Sequence, residues 1–172
     1  MKGFLLTLLL LCAPAAAQEN ALLFNKQIQA TIPKGLYSLT PRAIAEDYTN
    51  KNNRPQHVFR NKDGDYSIAF NHMNKPLTPR DLIPFHTQLK TQLEAKLTGI
   101  QWIKDGSQTL NQRQWEVLEF KAPEQGLLHH NWILLTSWKG RVLEIAVTAA
   151  DDIEQQREVQ IGIFLNSLRV ND

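Results

Sequence analysis

Adjacent histidines, His129 and His130, lie in the run Gly126–Val147 beside Trp132 and a string of Leu and Ile. Imidazole is both a frequent metal ligand and a general base near neutral pH. Whether the pair does chemistry depends on the element that carries it. Successive strand residues point to opposite faces. A strand running back through both histidines would make their rings diverge, so they could not grip one ion together. Only His130 would share a face with Trp132. A zinc site would need at least two more ligands from elsewhere. His72 ends another apolar strand, but nothing in the spacing requires it to approach. The pair therefore reads as the end of a strand, with no metal site expected.

Other chemistry-bearing residues fare similarly. A hydrolase would have to use His130, His72 or Glu119, and these belong to no recognised catalytic spacing. Ser38, Ser67, Ser107, Ser137 and Ser167 lack the G-x-S-x-G elbow of a serine nucleophile, and neither GxGxxG nor a P-loop is present. The stretch Asn61–Ser67, NKDGDYS, looks superficially like a calcium loop. However, Gly64 stands at position four rather than six, and His72 stands where position twelve needs a bidentate acid. It reads as a hairpin turn. Asp151 and Asp152 read as helix caps, Glu116 and Glu119 as solvent-facing strand residues, His86 as a helix-surface histidine, and His57 as a strand start. No catalytic residue, cofactor or metal is expected.

The four tryptophans have two readings. Trp132 and Trp138 share a face, with Trp102 and Trp115 on neighbouring strands, so core packing is one. The other is an exposed aromatic patch that docks a partner, since Trp and Arg are frequent interface anchors. On that reading Arg113, Trp115, Trp138 and Arg141 are the partner-binding residues.

These residues must be held by elements legible from pattern. Phe24, Ile28, Ala30 and Ile32 share strand parity and predict a strand ending at Pro33. Thr40 caps a short helix with Pro41 in its first position. A polar loop through Pro55 follows. A hairpin then turns on Asp63-Gly64, beyond which large Tyr66, Ile68 and Phe70 alternate with small Ser67, Ala69 and Asn71. The segment 78–99 is the best helix: Thr78 caps it, and Leu82, Phe85, Leu89, Leu93 and Leu97 form one stripe. Gly99 stops it, while Pro84 should kink the first turn or delay the start. Two or three strands come next, turning at Asp105-Gly106.

Taking Lys139-Gly140 as a two-residue turn sets Trp138 opposite Arg141, Thr136 opposite Leu143, Leu134 opposite Ile145 and Trp132 opposite Val147. The reverse face, Leu135 and Ile133 against Glu144 and Ala146, is only half apolar. Such a sheet wants cover on both sides. A last helix carries Ile153, Ile161, Phe164 and Leu168 on or near one face. Short turns argue for antiparallel pairing, and the whole reads as α+β, an antiparallel sheet flanked by helices.

The N-terminus has the layout of a secretory signal: Lys2, an apolar core from Phe4 to Leu11, and an Ala15-Ala16-Ala17 cleavage site. This predicts a signal peptide over 1–17 and one α+β domain over 18–172, periplasmic or secreted. The sole cysteine is Cys12. Leu11 before it disfavours a lipid anchor, and its loss with the signal would leave no thiol or disulfide. A formal charge of +2 without charge blocks points away from nucleic acid. No later segment reaches the ~18 apolar residues of a transmembrane helix.

Taken in order, ATIPKGLY, then DGDYSIAFNHM, a long amphipathic helix, paired strands and a C-terminal helix ending IFLNSLRV resemble the PsbP/Mog1-like α/β/α sandwich, including the DcrB-like bacterial envelope proteins. The resemblance covers about residues 24 to 170 and implies a non-enzymatic binding module. With export it gives the expectation of a periplasmic protein-binding module, in one version an immunity protein neutralising a secreted (type VI) toxin. The alternatives are a small-ligand or lipid-binding envelope protein and the hydrolase above.

Overall fold

The computed structural model describes residues 19–124, 126–150 and 155–172, with backbone only for 155–157. The signal sequence, Cys12 and the expected caps at Asp151 and Asp152, with Ile153, lie outside the described residues.

The chain opens with a hairpin, β1 (Glu19–Leu23) and β2 (Ile28–Ile32). Where one strand was expected there are two. Phe24, Asn25 and Lys26 all take positive φ and turn the chain between them. A two-residue strand β3 (Tyr37–Ser38) leads to helix α1 (Pro41–Asp47), and the Thr40 hydroxyl accepts the Ala43 N–H there at 3.2 Å, as expected of an N-cap. Strands β4 (His57–Arg60) and β5 (Tyr66–Pro76) pair with Arg60 opposite Ser67. Their connection is the wider loop 61–65 rather than a two-residue Asp63-Gly64 turn. Asn61 organises it: its Oδ1 accepts the N–H groups of Gly64 and Tyr66. A side chain committed to its own loop in this way makes a turn, not a cation site.

A single 3₁₀ turn, Pro79–Asp81, precedes helix α2 (Leu82–Lys96). The helix therefore starts later than Thr78 and Pro79 suggested, and the Thr78 hydroxyl bonds the Asp81 carboxylate at 2.6 Å instead of a backbone N–H. Pro84 falls in the first turn, where its missing N–H would have had no helical partner. Four long strands follow: β6 (Gln101–Leu110), β7 (Arg113–Glu124), β8 (Leu127–Trp138) and β9 (Arg141–Ala150). Asp105-Gly106 is not a turn. β6 runs through it, with Gly106 at φ +136°, and the chain reverses at Asn111-Gln112, both at positive φ. Helix α3 (Gln155–Ser167) and a short β10 (Arg169–Val170) complete the chain.

The strands form two antiparallel sheets, a seven-stranded one ordered β3-β4-β5-β9-β8-β7-β6 and a three-stranded one ordered β1-β2-β10. The β8–β9 register is the expected one, with Trp138 opposite Arg141 and Trp132 opposite Val147. One face of the large sheet presents Tyr66, Ile68, Phe70, Trp115, Trp132, Leu134, Ile145 and Val147. It packs under the small sheet and the α3 residues Ile161, Phe164 and Leu168 in the main core. The other face carries α1 over Val58 and Ala69. On that same face α2 lies over Leu135, Val142, Leu118 and Phe120.

Phe164 is fully buried and its ring meets Phe70 edge-on at 6.1 Å. Phe164→Ala should therefore cost about 3–5 kcal/mol of stability, read as a lowered midpoint in urea unfolding.

Candidate functional site

Two helices cover the α1/α2 face of the large sheet, and they leave a cleft between them. Its floor is β5 and β9. From β5 come Ser67, Ala69 and Asn71, the small half of the alternation in that strand; from β9 come Glu144, Ala146 and Thr148. Small side chains on the floor keep the space between the helices open. One cavity of about 130 Å³ lies beside α2, against Met73, Phe85, Gln88 and Leu89. A second, of about 200 Å³, lies beside Tyr48 and Pro55 at the end of α1. Asn53 and Glu144 line both. A third, of about 420 Å³, continues past Tyr48, Ser67 and Thr148 to Arg60 and His129.

Glu144 is the chemical centre of the cleft. Its strand position opposite Leu135 sets it on the floor of the cleft, half-buried. Among the described residues it has neither an ion-pair nor a hydrogen-bond partner. Loss of water without compensation disfavours the charged form, and burial raises its pKa to about 7. The phenol of Tyr48 is raised as well, chiefly by burial, so it stays a hydrogen-bond donor. At the far end His129 Nδ1 is buried and without a hydrogen-bond partner. Residues at the opposite ends of this cleft, Glu144 and the Ala150 that pairs with His129, are six positions apart on β9, or roughly 20 Å.

The histidine pair is split as parity requires: His129 faces the cleft and His130 the opposite side. His130 stacks on Trp132 at 3.7 Å between centroids, and its Nε2 lies 2.9 Å from Glu119 Oε1. Glu119 is therefore engaged rather than simply solvent-facing. His72 is elsewhere. It pairs with Leu143, while His130 pairs with Ala149, so His72 and His130 do not converge on one site. The Trp138 carbonyl accepts from His72 Nε2 at 3.1 Å, which leaves Nδ1 as acceptor towards Arg141 Nη2 at 3.4 Å. That tautomer is neutral, and burial holds the His72 pKa below its usual value, aided by Arg141 and Lys139 and opposed by the Trp138 carbonyl. His57, edge-on to Phe24 at 4.8 Å, is lowered by burial too.

Two further expectations are corrected. His86 is 6% exposed and lies 3.0 Å from Asp105 Oδ1; it is a buried member of the α2 stripe, one helical turn after Leu82. Glu116 is buried and bonded to the Ser107 hydroxyl, because α2 covers its side of β7. The tryptophans, in turn, do not form an exposed patch: Trp115 is 1% and Trp138 2% exposed. Arg113, Trp138 and Arg141 do cluster, but around the chain's own C-terminal segment and His72. Arg113 donates to the Ser137 and Val170 carbonyls and pairs with Asp172, while Trp138 Nε1 donates to the Asn171 carbonyl at 2.8 Å. These residues hold β10 and the terminus against the sheet.

No family model and no curated protein sequence matches the chain. Solved structures do. Cyanobacterial PsbP (CyanoP) from Synechocystis sp. PCC 6803 aligns with a TM-score of 0.64, covering 92% of this chain and 96% of its own at 14% identity. A protein of unknown function from Pseudomonas aeruginosa aligns at 0.52, covering 93% and 90% at 11% identity. A protein of Bacteroides thetaiotaomicron VPI-5482 aligns at 0.51, covering 90% of this chain and 49% of its own at 10% identity. The fold is the PsbP/Mog1-like α+β sandwich that the order of elements resembles. Among the described residues no helix is long and apolar enough to cross a membrane.

The cleft generates a pH test. A carboxyl whose folded pKa is about 7 against an ordinary 4.5 favours the fold below the ordinary value. That contribution is lost as pH rises through about 7. Glu144→Gln removes the titration, so the variant should gain melting temperature over the wild type as pH is raised from about 5 to about 8. Parallel curves for the two proteins would show that Glu144 is not held in a dry site.

Proposed function

We propose that residues 18–172 form a non-enzymatic binding module of the bacterial envelope, exported by the segment 1–17, whose working surface is the cleft between α1 and α2. One observation carries this reading. A carboxyl group is held on a rigid sheet between two adjoining cavities, with no partner among the described residues. A half-buried acid without an internal partner in a concave site marks a place where a ligand supplies the missing interaction. His130 is engaged with Glu119, and His86 lies against Asp105. This supports binding rather than hydrolysis, and a small ligand above a protein anchored on the tryptophans.

The experiment is native mass spectrometry on protein purified gently from its own envelope. The expected result is a small-molecule adduct that Glu144→Gln weakens. A clean spectrum at the unliganded mass from wild-type protein at high occupancy of the folded state would end the small-ligand reading.

A protein partner is the second reading, and the free edge of the large sheet favours it. β6 ends the strand order and carries Ile103, 52% exposed. An extended segment of a partner can add to such an edge. The version in which that partner is a secreted toxin and this chain its immunity protein belongs here. Ile103→Lys should then abolish co-purification of a stoichiometric partner without lowering the melting temperature, and deletion of the gene should sensitise cells to sister cells. Unchanged survival in that competition would remove the immunity version.

A further inference from the structure

The cavity beside α2 holds more than the acid. Lys75 lines it together with Glu144. The Lys75 ammonium lies over the Phe85 ring at 4.3 Å from the centroid. Among the described residues it makes no ion pair, with Glu144 or with any other acid. The two opposite charges therefore share one small cavity without meeting. From α2 the carboxamides of Gln88 and Gln92 also line the cavity, and Phe85 and Leu89 add apolar lining.

We propose that this cavity binds a small zwitterion, a free α-amino acid with an apolar side chain, its ammonium on Glu144, its carboxylate on Lys75 and its side chain against Phe85 and Leu89. The inference rests on the small-ligand reading of the cleft and names the ligand class. The chemistry is complementary at each point. An ammonium gives the carboxylate the charge-assisted hydrogen bond that it lacks. A carboxylate competes well for Lys75, whose contact with a ring at an exposed site is weak. The two glutamine amides each offer a donor and an acceptor to the polar end. A single cation would leave Lys75 facing it across the same cavity, and a single anion would leave Glu144 uncompensated; a zwitterion satisfies both. The volume of about 130 Å³ is room for the polar head and the first carbons of a side chain lying along Phe85 and Leu89.

The test uses the full mature protein and three probes, L-leucine, L-leucinamide (no carboxylate) and N-acetyl-L-leucine (no ammonium). Binding is measured by isothermal titration at about pH 8, where Glu144 is ionised, at up to about 10 mM, enough to saturate even a ~mM affinity. Leucine should bind and both analogues should bind at least about tenfold more weakly. Glu144→Gln should weaken leucine at least about tenfold, and Lys75→Met should weaken leucine to the level of leucinamide while leaving leucinamide unchanged. At pH 7 leucine binding should release protons, seen as a dependence of the heat on the buffer's ionisation enthalpy. N-acetyl-leucine or leucinamide binding as tightly as leucine would overturn the zwitterion. Lack of leucine binding alongside a different small-molecule adduct in native mass spectrometry would also overturn it while leaving the cleft's binding role standing. Lack of both would end the two readings together.

Discussion

The width of the large sheet governs much else in this protein. Seven strands at ~4.8 Å spacing span roughly 29 Å, whereas two helices side by side cover only about 20 Å. On one face a second sheet and α3 solve the problem, and there the floor is mostly large and apolar. On the other face only α1 and α2 are available, and α1 runs just from Pro41 to Asp47. The uncovered strip falls over β5 and β9, between Ala69 under α1 and Leu135 under α2. A wide apolar strip would invite aggregation. The chain instead places Ser67, Ala69, Asn71, Ala146 and Thr148 there, with Glu144 among them.

That compromise was partly written in the alternation of residues. The β8–β9 register followed from Lys139-Gly140 alone, because a two-residue turn fixes every opposed pair behind it. It already set Glu144 and Ala146 on a half-apolar face. The small residues of β5 were equally plain. What could not be read was their meeting, since β5 and β9 are neighbours only through a long-range pairing. Neither could the gap between helices be read, because it depends on where α1 and α2 come to rest.

The misreadings were coupled through β6. Asp-Gly is a strong local turn signal, yet β6 continues through Asp105-Gly106 because nine residues paired with β7 outweigh one dipeptide preference. Gly106 is kept for its φ of +136°, which a residue with a Cβ rarely adopts. Once the strand continues, Asp105 faces α2 and reaches His86 and Lys90. A histidine that looks like a surface residue thereby becomes a buried one beside an acid. Its position was legible all the same, four residues after Leu82 and three before Leu89 on the apolar stripe. Residue type had outweighed spacing. The tryptophans illustrate the converse. Trp and Arg are favoured anchors for partners, and Arg113 and Trp138 do anchor a strand end, but it is the chain's own.

Glu144 then stands out among the buried and half-buried acids of the large sheet. Glu116 bonds the Ser107 hydroxyl and Glu119 lies against His130, whereas half-buried Glu144 has no such partner among the described residues. Lys75 lines the same cavity, yet it lies over the Phe85 ring instead of pairing with Glu144. Closing that ion pair would have stabilised the unliganded protein and filled the cavity. Holding the two groups apart costs stability above neutral pH and leaves both available to a ligand, Glu144 from the rigid sheet and Lys75 from an exposed position near the end of β5, and a carboxyl already in place is what preorganised binding requires.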